Sequence, residues 1–193
     1  MLTEEKINLN FVTFIDKLTK YNAYPKSLED DEEFKKSLKN ASAFIQKDSG
    51  GAYEGSLIEH INHVALIAYN INNMLSDSVK VPLNSLIRSC YLQQISKALM
   101  IEKNTSEYEI GRGKLFRFKD NLPALKCGEY SILLCNKYGI ELKENEYEAI
   151  LSVDKINDEQ TKYFGSMLSL ILKQANELAI AEMKAEYKLN IKK

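Results

Sequence analysis

The sequence predicts an all-α fold, a bundle of about seven helices with one small β-hairpin near residues 106–119. Three observations predict it. Apolar residues recur at three- and four-residue steps through most of the 193-residue chain. Only three prolines and eight glycines interrupt it, which leaves room for long helices. Between residues 102 and 125 the helical period stops, and aromatic, basic and glycine residues take over.

The most informative stretch is Gly55–Leu75. Leu57, Ile58, Ile61, Val64, Ala65, Ala68, Ile71 and Leu75 form one wide apolar stripe, the pattern of a helix in the middle of a bundle. It holds both histidines of the chain, His60 and His63, which a helix brings onto neighbouring surface positions.

The other elements follow in order. Thr3 caps a first helix with Ile7, Phe11, Phe14, Ile15 and Leu18 on its apolar face, and Tyr24-Pro25 ends it. Ser27 or Asp30 opens the next, whose acidic first turn suits the helix dipole and whose core side is Phe34, Leu38, Ala41 and Ile45. Asp48-Ser-Gly-Gly-Ala52 is a turn. After Val81-Pro82, a helix runs from Asn84 or Ser85 to about Ile101. Tyr108–Lys119 reads as two short strands around Gly111-Arg112-Gly113. Helices then cover about Ala124–Tyr138, stopped by Gly139, about Glu144–Ser152, and about Asp158–Tyr187. The last of these has Phe164, Met167, Leu168, Ile171, Ala175, Leu178, Ala181 and Ala185 on its buried side.

The length suits a single domain over 1–193, with an N-terminal helical pair (1–48), a core (50–185) and a frayed basic tail (188–193). A formal net charge of −1 exerts no global pull on nucleic acid or acidic lipid. Three cysteines without paired spacing suit a reduced, cytoplasmic setting. Glu4, Glu5 and Asp16 argue against a signal peptide, and no apolar run approaches the roughly 18 residues of a membrane span.

Arg112, Lys114, Arg117 and Lys119 place four cations in eight residues, with Phe116 and Phe118 between them. They are anion-binding candidates, since cations and aromatics together hold phosphates and stack bases; the plainer reading is a solvated hairpin. Gly111-Arg-Gly-Lys114 is not a phosphate-binding Walker loop, because Tyr108 and Leu115 stand where glycine and a hydroxyl residue belong. Cys127 and Cys135 lie too far apart on one helix to bridge.

Three short segments, in order, resemble the HD-domain phosphohydrolase superfamily, all-α metal enzymes that cut nucleotide phosphoesters. Gly55-Ser-Leu-Ile-Glu-His60 with Val64-Ala65 looks like the first histidine segment. Tyr91-Leu-Gln-Gln-Ile-Ser-Lys97 looks like the segment that carries the His-Asp pair, and Gln174-Ala-Asn-Glu-Leu-Ala179 the one that carries the late aspartate. Gly128-Glu129-Tyr130-Ser131 is similar to a stretch of a phage-type branch. The resemblance spans roughly residues 50–185 and implies an HD-like bundle.

Matched position by position, His60 and Lys97 are kept, while Gln93, Gln94 and Asn176 stand where the family has histidine, aspartate and aspartate. Cys127 stands where that branch tends to have histidine. Amides cannot deprotonate to balance a divalent charge. The resemblance therefore implies a catalytically inactive domain, without cofactor, that acts by binding. His60, Gln93, Gln94, Lys97 and Asn176 would form a degenerate pocket for a nucleotide or phosphate ligand. A protein partner or self-association is the other route. Two alternatives stand beside it: a divergent phosphohydrolase with rearranged ligands, drawing on His60 and His63 with Cys127, Glu129 or Asp154, and a structural scaffold whose old pocket is filled.

Overall fold

The computed structural model describes residues 2–154 and 165–191. The chain opens with α1 (Glu4–Lys20), the single turn α2 (Lys26–Glu29) and α3 (Glu32–Asn40). Thr3 caps α1, its hydroxyl accepting from the Lys6 N–H, and Asp31 caps α3 by accepting from the Phe34 N–H. A 3-10 turn, Lys47–Ser49, leads to α4 (Ser56–Met74). Then come α5 (Leu83–Leu92), the short α6 (Lys97–Met100), β1 (Ile101–Lys103), α7 (Glu107–Gly111), β2 (Phe116–Phe118), α8 (Cys127–Lys137), α9 (Glu144–Ser152) and α10 (Met167–Ile191). Among the described residues, seven helices have nine or more residues. The fold is all-α with one small antiparallel strand pair.

Helix α4 is the centre: α1, α3, α5 and α10 all pack on it. Leu57, Ile58, Ile61, Val64 and Ala68 are all but fully enclosed. Each of the larger ones contributes about 1.5–3 kcal/mol by leaving water. One continuous core joins them to Phe14 and Leu18 of α1, Leu86 and Cys90 of α5, Ile150 of α9, and Leu168, Ile171 and Ala175 of α10. A smaller cluster, Ala52, Met100, Ile101 and Phe116, lies under the strand pair.

Five elements differ from the sequence reading. The helix after Pro82 stops at Leu92, because the chain turns through Gln93–Ser96 before α6. The hairpin's first strand is β1, with Ile101 facing Phe118 and Lys103 facing Phe116. Tyr108–Ile110, expected as strand, lies in α7, whose start Ser106 caps by accepting from the Glu109 N–H. Local capping chemistry outweighs the strand-like alternation there. Helix α3 ends at Asn40, so Ile45 is not on its face; the Ile45 carbonyl accepts instead from the N–H groups of Leu115 and Phe116. Helix α10 continues through Ile191, so Lys188 is still helical. The expected start of the last helix near Asp158, its core residue Phe164, and Lys192 and Lys193 lie outside the described residues.

One buried charge pair ties several elements of the bundle together. Arg88 of α5 donates through Nε to Glu146 of α9 (3.1 Å). Its other nitrogens donate to the carbonyls of Tyr21, Asn22 and Glu141. One guanidinium thus ties α5 to α9, to the turn after α1 and to the α8–α9 loop. Glu146 is fully buried. Arg88→Ala would leave that carboxylate enclosed without its cation, and a loss of about 3–5 kcal/mol is expected. Urea denaturation of the variant measures it; a loss below about 1 kcal/mol would mean that the pair acts like a surface bridge.

Candidate functional site

His60 sits in the second turn of α4, and the approach to that helix is sterically fixed. Gly55 is its N-cap with φ +78°, and a Cβ there would stand 2.7 Å from Ile7 Cγ1. The Ser56 hydroxyl donates to the Gly51 carbonyl (2.6 Å) and accepts from the Ala43 N–H (2.8 Å). These bonds pin the Ala43-Phe44 segment against the start of α4.

Three of the residues that the sequence singled out meet directly. The Asn176 Oδ1 of α10 accepts from His60 Nε2 at 3.0 Å and from Gln94 Nε2 at 2.9 Å. Since that oxygen only accepts, Nε2 carries the imidazole proton and Nδ1 is bare. His60 is 0 % exposed, and Nδ1 has no hydrogen-bond partner among the described residues. Burial pushes the His60 pKa down to about 3, the Lys97 charge pushes the same way, and the Asn176 bond partly opposes them. The ring is neutral at physiological pH.

Phe44 and Lys97 close the cluster. The Phe44 ring meets His60 edge-on, centroids 5.4 Å apart. Lys97 Nζ donates to the Ala43 carbonyl (2.9 Å) and lies 5.0 Å from the Phe44 centroid. Burial lowers the Lys97 pKa, and Cys127 and Asp154 pull it back up. Gln93 is equally buried but turns away: its amide donates to the Cys90 carbonyl at 3.4 Å, and its Oε1 is unpartnered among the described residues. Below the turn, Ser131 donates to Ser96 (3.0 Å), and Ser96 donates to the Cys127 carbonyl (2.8 Å). Ser131 thus braces the segment that carries Gln94.

The remaining candidates lie elsewhere. His63 Nε2 pairs with Glu182 Oε2 at 2.7 Å. Asp154 accepts from the Gly128 N–H, and Glu129 from the Lys126 N–H. Among the described residues, no group of three His, Cys, Asp or Glu side chains stands where it could hold a metal ion. In the strand region, Lys114 pairs with Glu109 (2.6 Å), and Arg117 with Glu102 (2.6 Å) and Asp120 (3.4 Å). Arg112 lies over the Tyr108 ring. Lys119 is fixed through its backbone, which donates to the Met100 carbonyl. Glu102, Glu109 and Asp120 therefore offset much of this patch's positive charge.

The donor set does not fit the divalent metal that the resemblance brings with it. Among His60, Gln94 and Asn176 there is no carboxylate. The imidazole nitrogen facing Asn176 already carries a proton, and an ammonium stands beside the cluster. Phe44 and the Ser56 bonds are the functional-site features that sequence reasoning missed. Phe44 lies just past the helix end at Asn40, where no period marks it.

No protein-family model, curated protein or solved structure matches the chain. The fold and site define an all-α protein with a buried, neutral imidazole–amide cluster.

This cluster makes stability acid-sensitive. The unfolded chain protonates His60 near 6.5, whereas the folded chain does so only at about 3. The stability that comes from keeping the ring neutral is full above about 6.5. It is lost as pH falls toward 3, at about 1.4 kcal/mol per pH unit. We expect His60→Gln to remove this share of the acid slope. The His60 ring resonances of the parent should hold still from about pH 8 to about pH 5. A midpoint near 6.5 would contradict the burial argument.

Proposed function

We propose that this chain is a catalytically inactive HD-like domain that acts by binding. The observation that carries the reading is the double bond-acceptor role of Asn176 Oδ1, which His60 and Gln94 both use. A hydrolytic metal centre needs anionic oxygens and free imidazole nitrogens to hold its ion and to acidify a water. Here both partners of the imidazole side are neutral, no carboxylate joins them, and the ring nitrogen that faces Asn176 carries a proton while Nδ1 stays bare. Without such an ion the chain lacks the Lewis acid on which phosphoester cleavage of this type rests.

The ligand could be a nucleotide or phosphate held through Lys97, Gln93 and Gln94, or another protein. A phosphate at Lys97 would have to replace its bond to the Ala43 carbonyl and its contact with the Phe44 ring. That closure supports a second reading, in which the old pocket is filled and the domain serves as a scaffold. Phe44→Ala distinguishes the two: gain of phosphate or nucleotide affinity in the variant marks Phe44 as the plug.

The test of the main reading is a calorimetric titration of the purified chain with manganese. The expected result is no saturable binding at millimolar concentrations, and no metal in the protein as isolated. One ion per chain, lost in His60→Ala, would overturn it and return the chain to the working phosphohydrolases.

A further inference from the structure

Beside the closed cluster lies a cavity of about 980 Å³, a size suited to a small organic molecule rather than a bare ion. It is bounded by the start of α1, the loop before α4, the strand pair and the last turns of α10. Its wall is built tightly. Gly50 has φ +80°, and a Cβ there would come within 2.2 Å of the Met183 carbonyl oxygen, so only glycine lets the loop lie against α10.

The chemistry of the wall is divided. Leu115, Phe116 and Met183 give it an apolar side. The same lining holds the carboxylates of Glu59 and Glu186 and the rings of Tyr53 and Tyr187. Tyr53 donates its phenol proton to Glu59, which fixes that carboxylate in place. Burial, followed by the Glu59 bond and the charges of Glu59 and Glu186, raises the Tyr53 pKa. The phenol stays neutral and presents its ring. Glu186 has no ion-pair partner among the described residues.

Among the described residues, the cations of this wall do not balance both carboxylates. Lys103 is paired with Glu54 at 2.8 Å, and His63 with Glu182 at 2.7 Å. Lys47 also lines the cavity; its backbone N–H donates to the Gly113 carbonyl, and its single ammonium leaves the two carboxylates in excess. Two carboxylates and two electron-rich rings around an apolar body are the complement of an organic cation. An anionic ligand would meet like charge there and lose affinity.

We propose that this cavity binds a small organic cation, a primary amine on an apolar body. Its ammonium sits between Glu59 and Glu186, and its body lies against Met183, Leu115 and Phe116. The site is separate from the His60 cluster and does not depend on whether that cluster is catalytically silent.

The test is calorimetric titration of the full chain with phenethylamine, phenethyl alcohol and 3-phenylpropionate, which share a body and differ in the end group. The amine should bind, with the alcohol and the carboxylate at least about tenfold weaker. Glu59→Gln and Glu186→Gln should each weaken the amine about fivefold. Glu59→Gln keeps an acceptor for Tyr53, and a thermal melt checks that each variant is folded. Glu33→Gln on α3 should leave the affinity unchanged. No heat from the amine up to about 10 mM, equal affinity for the alcohol, or parent-like binding by both glutamine variants would overturn the proposal. Manganese binding at His60 would sink the inactive-domain reading and leave this one standing.

Discussion

The bond pair on Asn176 Oδ1 is the constraint on which the centre of the molecule depends. It joins α4, α10 and the α5–α6 turn through one amide oxygen. A buried imidazole without an acceptor for its N–H would cost about 1–3 kcal/mol in desolvation. A charged imidazole would cost far more, because Lys97 already contributes a cation beside it. Asparagine answers both demands. Its oxygen accepts the proton that must be held, and its neutrality asks for no counter-charge. Aspartate at the same position would hold a carboxylate against the imidazole and favour the charged ring.

Around that centre, charge and packing divide the work. Apolar burial on α4 supplies the gross driving force, and α4 can be central because its stripe is wide enough to serve four neighbours. The polar groups set where the neighbours stop. Arg88 fixes the α9 end, and its four bonds satisfy nearly the whole guanidinium, which makes the burial of Glu146 tolerable. Ser56 fixes the Ala43-Phe44 segment, and Ser96 with Ser131 fixes the turn after α5. Each is a small hydroxyl that replaces a missing ladder bond where the backbone leaves a helix.

Much of the fold was legible because helical periodicity is a strong signal over long spans. The start of α1 follows from Thr3, the end of α8 from Gly139, and the spans of α4 and α9 from their apolar periods, while α8 begins at Cys127, later than the Ala124 expected. The strand pair was legible in kind but not in register. Phe116–Phe118 was found, yet its partner Ile101–Lys103 looked like the tail of a helix, because Leu99, Met100 and Ile101 form a continuous apolar run that suits either state. At the site, the resemblance named five residues, and three of them share one oxygen. Gln93 was indistinguishable from Gln94 by sequence, and only the turn geometry separates their directions. Arg88 and Phe44 carried no signal, since a buried guanidinium reads as a surface charge on a helix and a loop phenylalanine has no period.

The protonation of His60 tests this account most directly. Two-bond nitrogen–proton correlation spectra on uniformly ¹⁵N-labelled chain, with and without manganese, report both ring nitrogens. The account predicts a neutral ring near pH 7, protonated on Nε2, with signals that manganese leaves sharp. A charged ring, the opposite tautomer, or selective broadening of the His60 signals by the metal would contradict it.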